Sequence, residues 1–264
     1  MTTSAIKNGL RVIKILANQS QGVTYRQLMT ELDLSSITIK NLLRSMESRG
    51  FLRFDDQTES YRLSLKLAKL GMAYVEHSGV SAVYQPLLEQ LAQETGELVR
   101  ITLKNGNRLI WVGMAKGSHK GLRVAPDTGS DVCLHATAAG KAWLSCMEHG
   151  KAIKLILDQG LVHSDRFGPK AIQAVNELLV ELKKTERQGY AISIEEYLQG
   201  MSAIAVPIFS QNPSVGDAVG SISIAGPTVR MSKKRLKEML PLLKKIGTEL
   251  AMLSPIFTAN VFPA

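Results

Sequence analysis

The chain has 264 residues, enough for two modest domains or one large one, which excludes a single small motif. Its 45% hydrophobic and 21% charged content is ordinary for a globular protein and excludes extended disorder, collagen-like repeats and a disulfide scaffold. A net charge of +9 favours an anionic partner, and position sharpens this: residues 1–54 hold eight basic side chains against three acidic ones, so +5 of the surplus lies in a fifth of the chain.

Two cysteines, Cys133 and Cys146, fit a reducing compartment. The opening run Ala5–Ala17 is broken by Lys7, Arg11 and Lys14, and no later stretch offers 18 uncharged apolar residues, so a cytoplasmic protein without a membrane partner is expected.

In chain order, Ile6, Leu10, Ile13 and Leu16 recur at helical spacing and predict an amphipathic first helix, broken at Gly22. Thr24 reads as the N-cap of a short helix over Tyr25–Leu32, with Leu28 and Leu32 inward, and Asp33–Ser36 as a tight turn. A third helix is expected over Ile37–Arg49, burying Ile39, Leu42, Leu43 and Met46 and stopped by Gly50. Phe51–Phe54 and Tyr61–Leu65 read as two strands around the polar tip 55–60. Helix, helix, turn, helix, hairpin is the order of a winged helix-turn-helix; a plain helical cap has the same count, but the basic surplus falls on the segment that would meet phosphate. The expected DNA contacts are Arg26, Lys40, Arg44 and Arg53 on phosphate, with Ser35, Ser36, Ile37, Thr38 and Asn41 at the start of the recognition helix, where side chains enter the major groove. Asn41 suits adenine's paired donor and acceptor, and Ile37 or the Thr38 methyl suits a thymine methyl.

A connecting helix is expected over 65–77, with a boundary at 78–81. The remainder follows a different pattern: a helix near Val83–Thr95, two apolar runs around Asn105-Gly106, a strong hairpin signal, and a Gly/Pro/Asp loop over 116–131. Helices follow near Ala136–Met147, Lys151–Leu157 and Pro169–Gln188, then strands at Tyr190–Ile194, Ala203–Phe209 and Ala218–Ile224. A last helix is expected from Ser232 to Leu253, kinked at Pro241. This is an α+β domain with an antiparallel sheet flanked by helices.

Enzyme and cofactor signatures are missing: the chain has no GxSxG, HExxH, GxxxxGK[ST] or GxGxxG. Glu195 and Glu196 would alternate faces on a strand, one exposed and one structural, rather than act as an acid/base pair. Cys133, His135, Cys146 and His149 have zinc-type chemistry, but a helix over 136–147 places Cys146 about 15 Å from His135, too far to share an ion. No metal or cofactor is expected. LHATAAGKAWLS at 134–145 opens a helix on small residues, which leave room either for a carboxylate at the amide end or for tight packing on a sheet.

Gly9-Leu10-Arg11-Val12, TIKNLLRSMESRGFL, YRLSLKLAKLG, LHATAAGKAWLS, RQGYAISIEEYLQGMSAIAVPIF and SISIAGP occur in an order that resembles the IclR family of bacterial transcriptional regulators over nearly the whole chain. The resemblance implies a winged helix-turn-helix over 1–64, a linker helix over 65–80 and a GAF/PAS-like effector-binding and oligomerisation domain over 81–264. The partners it implies are operator DNA, a small organic acid or related metabolite, and a second chain in a homodimer or homotetramer. Effector contacts are expected at Ala138, Ala139, Ser193, Ala203 and Ser223. The chain departs from the family pattern at several positions: it has Ile37-Thr38 and Asn41 where Ser-Thr and a following Arg are usual. It also has Ser193 for an acidic residue, Ala203 for Cys, and Ala225 for the second Ser of the strand before Gly-Pro. Inherited base preference is therefore not assumed, and a less polar effector than a two- or three-carbon keto acid is expected. Two other readings stay open at this point: a constitutive DNA-binding protein whose second domain only oligomerises, and a metabolic enzyme with a helical appendage.

Overall fold

A computed structural model describes residues 2–19, 21–78, 80–118, 131–160, 167–211 and 218–253. The chain divides into two compact units, 1–77 and 78–264.

The first unit contains α1 (Thr2–Ala17), β1 (Val23–Thr24), α2 (Tyr25–Leu32), α3 (Ser36–Ser48), β2 (Leu52–Asp55), β3 (Ser60–Leu63) and α4 (Leu65–Ser78). Its three strands pair antiparallel in the order β1-β3-β2. Val12, Leu16, Leu28, Leu32, Ile39, Leu43, Met46 and Leu52 form the core. The apolar spacing of α1 is matched inward only in its second half: Leu16 is buried and Ile13 packs against the core, but Ile6 and Leu10 are 65% and 56% exposed, and Asn8 and Val12 are buried in their place. With basic residues interleaved, α1 carries apolar side chains on two faces, and the core takes one of them.

The second unit runs α5 (Val80–Thr95), β4 (Leu98–Asn105), β5 (Arg108–Ala115), α6 (Ala138–Leu144), α7 (His149–Gln159), α8 (Val175–Gln188), β6 (Ala191–Ile194), β7 (Met201–Phe209), β8 (Ala218–Pro227), α9 (Lys233–Glu238) and α10 (Leu240–Met252). One antiparallel five-stranded sheet has the order β5-β4-β8-β7-β6. Because strand side chains alternate, Val99, Ile101, Leu103, Ile204, Val206, Ile222 and Ile224 face one layer with α5 and α10, and Ala191, Ala203, Ala205 and Ala225 face the other with α6 and α8. Large branched residues fill the first layer. Alanines let α6 approach the sheet closely in the second.

Several boundaries differ from the sequence expectation for local reasons. In the β4–β5 hairpin Asn105 pairs with Arg108, so the two-residue loop is Gly106-Asn107, with glycine first at φ +59°. α8 starts at Val175 rather than Pro169 because the segment before it is tied to the turn after β6, Gly168 N donating to Glu196 O (2.9 Å) and Lys170 N to Glu195 O (3.1 Å). Pro241 begins a helix instead of kinking one: at the first turn of α10 its missing N–H costs nothing. Most of the expected 116–131 loop lies outside the described residues.

Candidate functional site

The helix-turn-helix is fixed by contacts within a few residues of each other. At the start of α2, Thr24 N donates to Gln27 Oε1 (2.9 Å) and Gln27 N donates to Thr24 Oγ1 (3.4 Å), a reciprocal capping box. Asp33 ends α2 in the left-handed region, φ +53°. Ser35 caps α3, its hydroxyl accepting from Thr38 N (3.3 Å) and lying 2.8 Å from Thr38 Oγ1. The cap engages the hydroxyls of Ser35 and Thr38, and it sets the phase of α3 so that Ile39, Leu43 and Met46 turn inward. Ser36, Ile37, Thr38, Lys40, Asn41 and Arg44 occupy the exposed half. Ile37 is 75% exposed, an apolar side chain presented outward at the start of the helix.

Arg26 is exposed in the first turn of α2, and Arg53 is exposed on β2. Two neighbours escaped the sequence reading. Tyr25 donates from its hydroxyl to Ser36 O (2.9 Å), and the Lys40 ammonium lies 5.8 Å from the Tyr25 ring, so Tyr25 bridges the starts of both helices. Arg62 stands opposite Arg53 in the β2–β3 register, 3.5 Å from Asp55. Strand pairing is the signal that would have found it.

In the second unit, Ala138, Ala139 and Ala203 meet in the α6 layer, and all three are buried. Ser193 pairs in register with Ala203 and donates to Ala136 O (2.8 Å); Ser223 donates to Arg100 O (3.4 Å). The start of α6 is closed by its own chain. Thr137 Oγ1 accepts from Gly140 N (3.0 Å) and donates to Cys133 O (2.6 Å), and a Cβ at position 140 would collide with the Leu134 carbonyl, which is why glycine stands there. The five expected effector residues thus share one layer, with hydroxyls that already have acceptors.

Sequence reading missed the charged members of this layer. Arg100 is 4% exposed, faces the same side of the sheet as Ser223, its register partner on β8, and stacks its guanidinium 3.9 Å from the Trp111 ring centre. Lys141, 1% exposed at the middle of α6, donates to both Glu196 carboxylate oxygens and to Ile192 O, each at 2.7 Å, with Glu181 at 3.8 Å. Burial pushes the Glu196 carboxyl above its ordinary range against the pull of Lys141. Glu195 follows β6 in the left-handed region at φ +55° and pairs with Lys170 (2.8 Å), so the two glutamates divide into a buried one held by Lys141 and a half-buried one held by a surface lysine. Cys133 Sγ lies 3.6 Å from His135 Nδ1. Burial raises the thiol to about 11, and burial followed by the Lys141 charge lowers His135, so both groups are held neutral. His149 lies 3.6 Å from Glu186, and among the described residues no three His, Cys, Asp or Glu side chains are placed to hold a metal ion.

A capped helix-turn-helix with a winged hairpin, joined to a helix-flanked antiparallel sheet, defines the class of two-unit transcriptional regulators. The description "IclR helix-turn-helix domain" matches residues 5–56, and "Bacterial transcriptional regulator IclR C-terminal" matches residues 72–252. The chain belongs to the IclR family. It is similar to the HTH-type transcriptional regulator BhcR of Paracoccus denitrificans, with 29% identity over 94% of this chain and 86% of that one. It is likewise similar to the HTH-type transcriptional repressor AllR of Salmonella typhi, with 28% identity over 96% and 92%. The fold matches an IclR regulator of Alicyclobacillus acidocaldarius (TM-score 0.79, 24% identity, 94% of this chain and 98% of that one). It also matches an IclR homolog of Microbacterium hydrocarbonoxydans complexed with 4-hydroxybenzoate (TM-score 0.73, 18% identity, 94% and 98%). The protein is a DNA-binding transcriptional regulator, with the domains and relatives of regulators rather than enzymes. Among the described residues no helix is long and apolar enough to cross a membrane.

Proposed function

We propose that this regulator binds operator DNA through α3, α2 and the β2–β3 hairpin, and that a small organic acid in the α6 layer changes that binding. The DNA contacts are Arg26, Lys40, Arg44 and Arg53 on phosphate, with Ser36, Ile37, Thr38 and Asn41 at base edges and Ser35 holding the helix start. The carrying observation for the effector is a guanidinium set in a layer of small side chains: Arg100 lies beside Ser223 on the face where Ser193, Ala203, Ala138 and Ala139 keep side-chain volume low. An acid seated there gains a charge-assisted contact, and the alanines leave its body an apolar surface, consistent with 4-hydroxybenzoate in the Microbacterium homolog. We assign pairing into a homodimer or homotetramer to α4, which exposes Leu65, Leu70, Met72 and Tyr74, and the working compartment to the cytoplasm, where bacterial DNA lies. The division remains 1–64 for DNA binding, 65–80 for the linker and 81–264 for effector binding and assembly.

The second reading, a constitutive DNA binder whose larger unit only oligomerises, draws on the near-complete burial of Ala138 and Ala139. Thermal melting with a set of acids that includes 4-hydroxybenzoate, each paired with its neutral amide, separates the two. The sensor reading expects an acid to raise the melting temperature by several degrees, its amide not to, and operator affinity to change at least tenfold. No shift with any acid favours the constitutive binder.

A further inference from the structure

A cavity of about 360 Å³ opens at the edge of the five-stranded sheet, where among the described residues β6 has a neighbour only in β7. Its volume is that of a small-molecule site. Ile192 and Ile194 supply an apolar floor, α8 forms one wall and α9 the other. Five lysines and two glutamates line it, so it is strongly basic.

The carboxylates are already committed. Glu196 is taken by the Lys141 ammonium, Glu181 by Lys184 (2.7 Å), and Lys170 turns to Glu195. Lys233 and Lys237 remain, one turn apart on α9, both exposed and without an ion pair among the described residues. Two ammonium groups on one side of a cavity repel each other and leave a twofold positive surplus. The edge strand adds a donor of another kind. Ile192 O accepts from Lys141 at 2.7 Å, so this residue's backbone points away from β7, and in an antiparallel strand its N–H points the same way.

We propose that this cavity binds a small molecule carrying a phosphate-type dianion, seated between Lys233, Lys237 and the Ile192 amide with its body against Ile192 and Ile194. The two charges of the phosphate group match the two unpaired lysines, and its tetrahedral oxygens suit ammonium and amide donors approaching from different directions. In the Lys184–Glu181 and Lys170–Glu195 pairs the ammonium groups are exposed and the carboxylates half-buried, so the lysines can turn toward an anion. Lys141 joins this cavity to α6, so occupancy bears directly on the helix of the proposed effector layer. The proposed phosphate contacts, Lys233, Lys237 and the Ile192 amide, lie outside that layer, so the proposal stands whether or not an organic acid binds there.

The competing role for the lysines is to guard the edge of β6 against pairing with another strand. The experiment titrates the full-length protein with inorganic phosphate at constant ionic strength, chloride replacing phosphate in the control, while the backbone amide resonances of Ile192 and Ile194 are followed. The proposal expects saturable shifts at millimolar phosphate and at least a tenfold weaker response in K233Q/K237Q, with operator affinity unchanged. Because both lysines are exposed, the variant is expected to fold, and K233E alone is expected to weaken the phosphate response to the same extent. Shifts that track chloride, or an undiminished response in the variant, overturn the proposal. Self-association of the variant with its phosphate response intact makes the lysines edge guards and overturns it equally.

Discussion

Helices α3 and α6 are built on opposite plans. α3 turns three apolar residues inward and leaves Ile37, Lys40, Asn41 and Arg44 to solvent; all seven residues of α6 are buried, a lysine included. α3 owes its exposure to the amphipathic repeat and to the Ser35 cap, both encoded within a few residues. α6 owes its burial to partners distant in sequence: Ser221 donates to Ala139 O (3.1 Å) and Glu196 neutralises Lys141. The difference shows where perturbation is costly. A charge on α3 trades one solvated state for another, whereas a charge in α6 depends on a particular partner.

Removing that partner is the severest way to break the comparison. Lys141→Met leaves the Glu196 carboxylate buried without its cation and is expected to cost about 3–5 kcal/mol in urea unfolding. The pair replacement Lys141→Met/Glu196→Leu should recover most of the loss, because no charge is then left stranded. Recovery in the pair would show that the single variant's loss comes from an uncompensated charge rather than from lost packing.

On α3 the expected effect lies in binding rather than folding. Asn41→Ala should lower affinity for the operator by about 1–3 kcal/mol and leave random DNA unchanged. Arg44→Ala should weaken both equally and reduce the slope of log affinity against log salt by about 1. If Asn41→Ala weakens both DNAs alike, base reading does not run through Asn41. Neither substitution should move the unfolding midpoint by more than the roughly 0.5 kcal/mol typical of exposed sites.

The smallest effect concerns pH. His135 is lowered by burial and by Lys141, so between its folded value and the ordinary 6.5 the unfolded chain binds more protons than the folded one. Stability from this group is therefore complete above 6.5 and is lost as pH falls through the folded value. His135→Gln should flatten the stability profile over that acid window, measured by urea midpoints from pH 7 down to 5, while the profile above pH 7 stays unchanged.

The α2–turn–α3 segment was legible residue by residue. Thr24, the Asp33 turn, Gly50 and the inward Leu28, Leu32, Ile39, Leu43 and Met46 all stand where the sequence places them, because capping and helical periodicity act over three or four residues. The Asn105-Gly106 signal found its hairpin but missed the register by one residue, which strand pairing decides. Arg62, Tyr25 and Arg100 were missed for a related reason: each matters through what stands beside it on another element.

The sequence by itself determined the two-part organisation, the helix-turn-helix and the family, since these rest on composition, local periodicity and ordered motifs. Only the tertiary structure decided which face of α1 is buried, that Pro241 starts a helix, and that Glu196 rather than Glu195 meets Lys141. It alone placed Arg100 beside Ser223 and gathered Lys184, Lys233 and Lys237 at one strand edge. The physical reason is the range of the interactions. A cap or an amphipathic repeat is settled among neighbours in sequence, but the environment of a buried charge is set by residues far along the chain, as Lys141 is by Glu196, 55 positions away.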